Sequence, residues 1–207
     1  MKEIPEYEKD LASIRAMMER SVKFASLSGL SGVLAGIYAL LGAGTAYYLI
    51  YFPNSPFGFR FNYLNERETL LQLIVVAGVV LIASLLTGYA LSLKKAKKLG
   101  VSIWNTPSKQ LLIDLFTPLI AGGLLLLILL WRGYFAILAS ACLLFYGLAL
   151  ASASRNTYKE VWYLGLFEIA LGLMAALLPG YGLLFWALGF GVLHIVYGIL
   201  MHYRYDQ

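Results

Sequence analysis

The 207-residue sequence has one cysteine, two histidines and few charges of either sign. Cys142 alone closes no disulfide within the chain and says nothing about redox compartment. His194 and His202 stand eight residues apart, off a single helical face, and no Cys/His or paired-carboxylate spacing suits a metal. Nothing in the chain calls for a metal or a cofactor. No Gly-x-Gly-x2-Gly loop follows a strand, because no strand pattern exists to precede one. Ser92-x2-Lys95 copies the spacing of a serine–lysine hydrolase by chance composition, and no nucleophile stands with a base. The expectation is therefore not an enzyme, with no catalytic residues. Charged residues make up 13%, against about 25% in a soluble domain. That excludes a soluble globular protein. Disorder is excluded too, since it needs low hydrophobicity.

What the chain has is apolar residues, 60% of the total, and a mean hydropathy of +0.75. They fall into six runs, near 24–50, 70–93, 111–131, 134–152, 161–178 and 182–201. Each approaches the ~20 residues a helix needs to cross ~30 Å of hydrocarbon. Lipid offers the backbone no hydrogen-bond partner, so the spans are helices. The predicted fold is all-α: a polytopic membrane protein with six transmembrane helices. The short connections at Arg132-Gly133 and Pro179-Gly180-Tyr181 suggest three antiparallel hairpins. The domain reading is a cytoplasmic amphipathic segment 1–22, a six-helix transmembrane domain 23–203 and a cytoplasmic tail 204–207. Tyr7, Leu11, Ile14 and Met18 form the apolar stripe of the first segment. With no cleavable signal in those charged residues, the first span is expected to direct insertion.

Thirteen of the sixteen Lys and Arg residues fall on one side of these spans, and only Arg60, Arg67 and Arg132 on the other. Under the positive-inside rule both termini are cytoplasmic, in a plasma (inner) membrane. The net charge of +5 is thus an orientation signal and not a nucleic-acid footprint. The partner is the lipid bilayer. Lys94, Lys95, Lys97 and Lys98 form a cluster suited to anionic lipid head groups. A homo-oligomer or a partner membrane protein stays open. The aromatic segment 51–68 on the far side reads as a loop in the head groups, or as a lid.

Spans 1 and 5 align without gaps: Gly29-Leu30, Gly36, Ala39 and Leu41 match Gly165-Leu166, Gly172, Ala175 and Leu177. The even spans share Thr87-Gly88, Tyr146-Gly147 and Tyr197-Gly198 near their ends. Both patterns suggest a hairpin repeated three times. Gly165 to Met201, with Gly172, Pro179, Gly189 and Tyr197-Gly198-Ile199, resembles half of the HdeD-like acid-resistance membrane proteins over less than a fifth of the chain. The run Ile14-Arg15-Ala16-Met17-Met18-Glu19-Arg20-Ser21, followed by Ser26 to Gly36, resembles a family of uncharacterised bacterial multi-pass membrane proteins. The first resemblance implies six spans and a stress-related role. The second implies no activity.

Glu168 stands inside span 5 and His194 inside span 6, at similar depth. An ionisable group there is expensive and needs a partner. Both follow Gly-x2-polar-x3-Gly, with Gly165 and Gly172 around Glu168 and Gly191 and Gly198 around His194. The spacing puts each polar group on its helix's glycine face. A Glu168–His194 contact near mid-membrane is predicted, as a proton-coupling or binding pair or as a hydrogen-bonded strut. Asp114 lies one turn into span 3, as a helix-start residue or a pore-mouth group. Gly32 and Gly36, with Ser28, form a small-residue stripe for close helix packing. The function expected is a non-enzymatic integral membrane protein, a regulatory or stress-related component sensing or binding through its bundle. The alternative is a small proton-coupled transporter or channel.

Overall fold

The computed structural model describes residues 28–51, 67–98, 100 and 102–206. The amphipathic segment 1–22 and most of the aromatic loop lie outside the described residues. Six helices are long and apolar enough to cross a membrane: α1 (Gly29–Tyr51), α2 (Arg67–Lys98), α3 (Thr106–Trp131), α4 (Phe135–Asn156), α5 (Lys159–Leu177) and α6 (Gly182–Tyr205). Among the described residues there is no strand. The all-α, six-span class expected from the sequence is what the chain adopts.

Local chemistry sets the ends. α3 begins five residues before the apolar run because Asn105 caps it: its side chain accepts from Ser108 N–H at 2.9 Å, and Ser108 Oγ accepts in return from Asn105 N–H at 2.9 Å. Gly133 (φ +76°) and Gly180 (φ +99°) make the tight turns after α3 and α5, a backbone region glycine enters without steric cost. Within α3, Thr117 Oγ1 donates to the Ile113 carbonyl at 2.8 Å, just before Pro118. α2 and α3 bury almost nothing inside the protein despite their apolar sequences. Such exposed apolar faces suit a lipid environment.

The tightest packing does not follow the hairpins. α4 lies mainly on α5, and α1 mainly on α6, while α5 and α6 touch less. Both tight seams are lined by glycine. A Cβ built on Gly165 would lie 2.8 Å from the Gly147 carbonyl oxygen and 2.9 Å from the Ala151 nitrogen. One on Gly172 would lie 3.1 Å from the Ser140 oxygen and 3.0 Å from the Leu144 nitrogen. Across α1 and α6, a Cβ on Gly36 would meet the Gly191 oxygen at 2.6 Å and the Ile195 nitrogen at 2.9 Å, while one on Gly29 would meet the Gly198 oxygen and the His202 nitrogen. A constant shift of 136 residues carries the α5 atoms onto α1, and one of 51 carries the α4 atoms onto α6. The two seams are thus the same interface used twice, with Gly32 added to the second, 3.1 Å from the Gly198 Cα.

A threefold repeat would place a third such seam between α2 and α3. There the chain departs from the pattern. α2 and α3 barely touch, and a Cβ on Gly88, the residue aligned with Gly147 and Gly198, would meet nothing within 4 Å. The bundle is a threefold plan with one seam open.

The end that carries the lysines is closed by Asp206. Its carboxylate accepts from Gly29 N–H at 2.8 Å and Ser28 Oγ at 3.2 Å, and pairs with Lys95 Nζ at 2.6 Å. It thereby caps α1 and ties it to α2 and α6. Arg204 and Tyr205 reach Glu160 at the start of α5, at 2.8 and 3.1 Å. Residues 204–206 are thus docked on the bundle, and Lys95 pairs with Asp206, while Lys94, Lys97 and Lys98 are exposed. Burial opposes ionisation of Asp206, but the Lys95 ammonium and the Gly29 N–H outweigh it and hold the carboxyl below its ordinary value. A depressed folded-state value contributes stability that is fully present above the ordinary aspartate value and is lost as pH falls below it, through the lower folded-state value. Thermal melting along an acid series is expected to show this loss in the wild type. Asp206→Asn should lower the melting point at neutral pH and flatten the acid limb. Identical acid limbs would remove Asp206 from the clamp.

Candidate functional site

Glu168 stands nine residues from each end of α5, and His194 twelve and eleven from the ends of α6. Both are mid-helix, and so at the middle of the apolar slab. Glu168 is 0% exposed and His194 6%. Their side chains meet: His194 Nδ1 lies 3.4 Å from Glu168 Oε1.

The meeting is made by a local break in α6. Residues Ala187–Leu193 form a π-helical segment, in which positions five apart stack instead of diverging around the helix. His194 therefore sits over Gly189, and its Nδ1 is 2.9 Å from the Gly189 carbonyl. A carbonyl only accepts, so Nδ1 carries a hydrogen. The other ring nitrogen, Nε2, is 2.8 Å from the Tyr146 hydroxyl of α4. Gly189 has a second role. A Cβ there would collide with Glu168 Oε2, so its missing side chain is the room the carboxyl group occupies.

Neither Glu168 oxygen has a hydrogen-bond donor within reach among the described residues, beyond the long approach of Nδ1. A bare carboxylate in this place would be costly. It must be matched by a proton of its own or by charge on the imidazole. The Tyr146 hydroxyl serves both ring states, donating to Nε2 of a neutral imidazole and accepting from N–H of a charged one. A proton arriving on His194 thus reverses the Tyr146 bond and sets a cation against Glu168.

Three aromatic rings follow His194 along α6 and around it. Phe190 stacks on His194 at 5.8 Å between centroids, Tyr146 tilts against Phe190 at 4.8 Å, and Trp186 sits 5.1 Å beyond Phe190. Trp186 and Cys142 face a cavity of about 430 Å³ at the end of the bundle away from the lysines. Neither Glu168 nor His194 lines that cavity.

The other candidates lie apart from this pair. Asp114 accepts from Gln110 Nε2 at 3.2 Å and from Asn156 Nδ2 at 2.7 Å, so it ties α3 to the end of α4. Gly165 and Gly172 face α4, and Gly32, Gly36, Gly191 and Gly198 line the α1/α6 seam. The glycine faces around Glu168 and His194 therefore do not meet each other, contrary to the reasoning that paired them. The contact forms because both seams flank one centre and the π segment turns His194 toward it. Thr87 Oγ1 lies 3.3 Å from the Tyr38 hydroxyl and joins α1 to α2. Sequence reasoning missed Tyr146 as a partner, although Tyr146-Gly147 stood in the repeat. It also missed Gly189, which no spacing rule marks. Among the described residues no three His, Cys, Asp or Glu side chains gather.

No known family model, curated protein or solved structure matches the chain.

Proposed function

We propose that this chain is a non-enzymatic, multi-pass protein of the bacterial inner membrane, with both ends cytoplasmic. It senses through its bundle, and Glu168 and His194 form the switch, in a regulatory or stress-related role. The observation that carries this reading is the wholly buried Glu168 carboxyl, with His194 as its near neighbour and no other donor among the described residues. Such a pair has at least two protonation states that make different hydrogen bonds. The states differ at Tyr146, which joins α4 to α6 beside both glycine seams. A change of protonation therefore bears on helix packing. The enclosure of the pair, off the walls of the apolar cavity, suits a sensor better than a conduit. The resemblance to HdeD-like acid-resistance proteins points the same way. The basic end would lie in the cytoplasm, with exposed Lys94, Lys97 and Lys98 at anionic head groups.

The test is infrared difference spectroscopy of the protein in liposomes across a pH series. A carboxyl C=O band that changes with pH and vanishes in Glu168→Gln is expected, accompanied by a shift in the His194 ring signals by nuclear magnetic resonance. A spectrum with no Glu168 band change between pH 4 and 9 would leave the pair a strut and end the sensing reading. The alternative, a proton-coupled transporter or channel, makes a different demand. Liposomes loaded with a pH-sensitive dye would show proton flux abolished by Glu168→Gln, and that result would replace the sensor with a conduit.

A further inference from the structure

A cavity of about 430 Å³ opens beside α2 and α3, the two helices that barely touch, on the side of Gly88 away from the lysines. It lies between the first half of α2 and the end of α3, with α1, α4 and the start of α6 behind it. Its size falls within the range of about 300–1,000 Å³ typical of ligand sites. Its walls are hydrocarbon and aromatic: Ile50, Leu73, Val80, Leu127, Phe135 and Trp186 among them. Leu70 and Val80 mark its extent along α2, which at 1.5 Å per residue is about 15 Å. That is the depth of one leaflet of a ~30 Å hydrocarbon core. Two of its walls, α2 and α3, belong to the helices that bury least inside the protein, so an opening between them would face the bilayer. At its outer end Arg132, exposed, follows two residues after Leu130 of the cavity wall, with its guanidinium 5.9 Å from the Trp131 ring.

A space one leaflet deep and almost wholly apolar, walled by two helices that bury little inside the protein, with exposed Arg132 just past the end of α3, has the form of a lipid chain. We infer that it binds one acyl chain of an anionic phospholipid from the leaflet away from the lysine cluster, the phosphate resting at Arg132. The chain would take the place of the contact that α2 and α3 do not make. The inference stands on the cavity, its depth and Arg132, and does not depend on the protonation of Glu168 or His194.

Trp186 reports on the cavity from within. In a protein whose other tryptophans are changed (Trp104→Phe, Trp131→Phe and Trp162→Phe), Trp186 fluorescence is measured in vesicles. These contain phosphatidylglycerol or phosphatidylcholine brominated along the acyl chain, whose bromines quench on contact. Strong quenching is expected, greater with phosphatidylglycerol, and reduced several-fold by Ala77→Phe or Ala136→Phe. Those two substitutions fill the cavity from opposite walls at exposed positions. Arg132→Gln is expected to erase the preference for phosphatidylglycerol. Quenching that both filling variants leave unchanged would mean that Trp186 senses bulk lipid, and would overturn the site. Absence of quenching would mean that protein occupies the space, either residues 52–66 or a second copy, and would overturn it equally. Equal quenching by both lipids with Arg132 intact would overturn the assignment to an anionic head group.

Discussion

His194→Leu is expected to cost the fold about 1–3 kcal/mol, the scale of leaving a buried polar group without its partner. Glu168 lies 0% exposed, with His194 Nδ1 as its near neighbour at 3.4 Å. Leucine fills the ring's volume but supplies no donor, and it also leaves the Tyr146 hydroxyl and the Gly189 carbonyl without the imidazole. Glu168→Gln should be much milder, because an amide keeps the shape and adds a donor that a carboxylate lacks. The double variant Glu168→Met with His194→Leu removes both polar groups, and buried pairs exchanged for apolar residues of similar size are often neutral or stabilising. It should therefore recover most of the loss. Unfolding in mixed detergent micelles measures all four proteins and closes the cycle. Additive losses would show that the two side chains do not interact, and the site would fall with that result.

The second large effect concerns the seams. Gly147→Ala and Gly198→Ala are expected to destabilise the bundle by a similar amount, about 1–3 kcal/mol or more, the usual scale of overpacking. In both, the new methyl would lie 2.6 Å from a backbone oxygen, that of Gly165 or of Gly29, and against a backbone nitrogen, that of Ile169 at 2.8 Å or, closer still, that of Val33. Backbone cannot rotate out of the way as a side chain does, so the helices must separate. Gly88→Ala, at the aligned position of α2, meets nothing within 4 Å and should be neutral. The contrast among three residues that look alike in sequence is the check. A penalty at Gly88 as large as at Gly147 would mean that the third seam closes in the membrane. Near-neutral results at Gly147 and Gly198 would mean that neither seam is as tight as its backbone distances require.

Much of the fold was legible because lipid leaves the backbone few choices. A run of about 20 apolar residues has to be a helix, and six such runs mark six spans to within a few residues. The exceptions have local causes: α3 starts early because Asn105 and Ser108 cap each other, and α6 runs on to Tyr205 because its end docks through Asp206. The pairing of spans was less legible. Short turns make consecutive helices neighbours, but close packing goes to whichever faces let backbones approach. Gly147 and Ser140 of α4 receive α5, and Gly191 and Gly198 receive α1. The repeat that foreshadowed this was visible in Gly29, Gly36, Gly165 and Gly172. The register that proves it needed the opposing carbonyls and nitrogens.

The polar pair divides in the same way. Cost alone identified Glu168 and His194, since an acid and an imidazole at one depth in hydrocarbon require partners, although the glycine faces invoked to pair them turn to other helices. The route by which they meet was decided in three dimensions. A π turn brings His194 over Gly189, the bare Gly189 leaves space for the carboxyl group, and Tyr146 arrives from a third helix. Hydropathy and spacing act along one chain, so one chain displays them. Hydrogen bonds between helices, a cavity beside two helices that barely touch, and Asp206 clasping residues some 177 positions away depend on which surfaces are brought together, and only packing settles that.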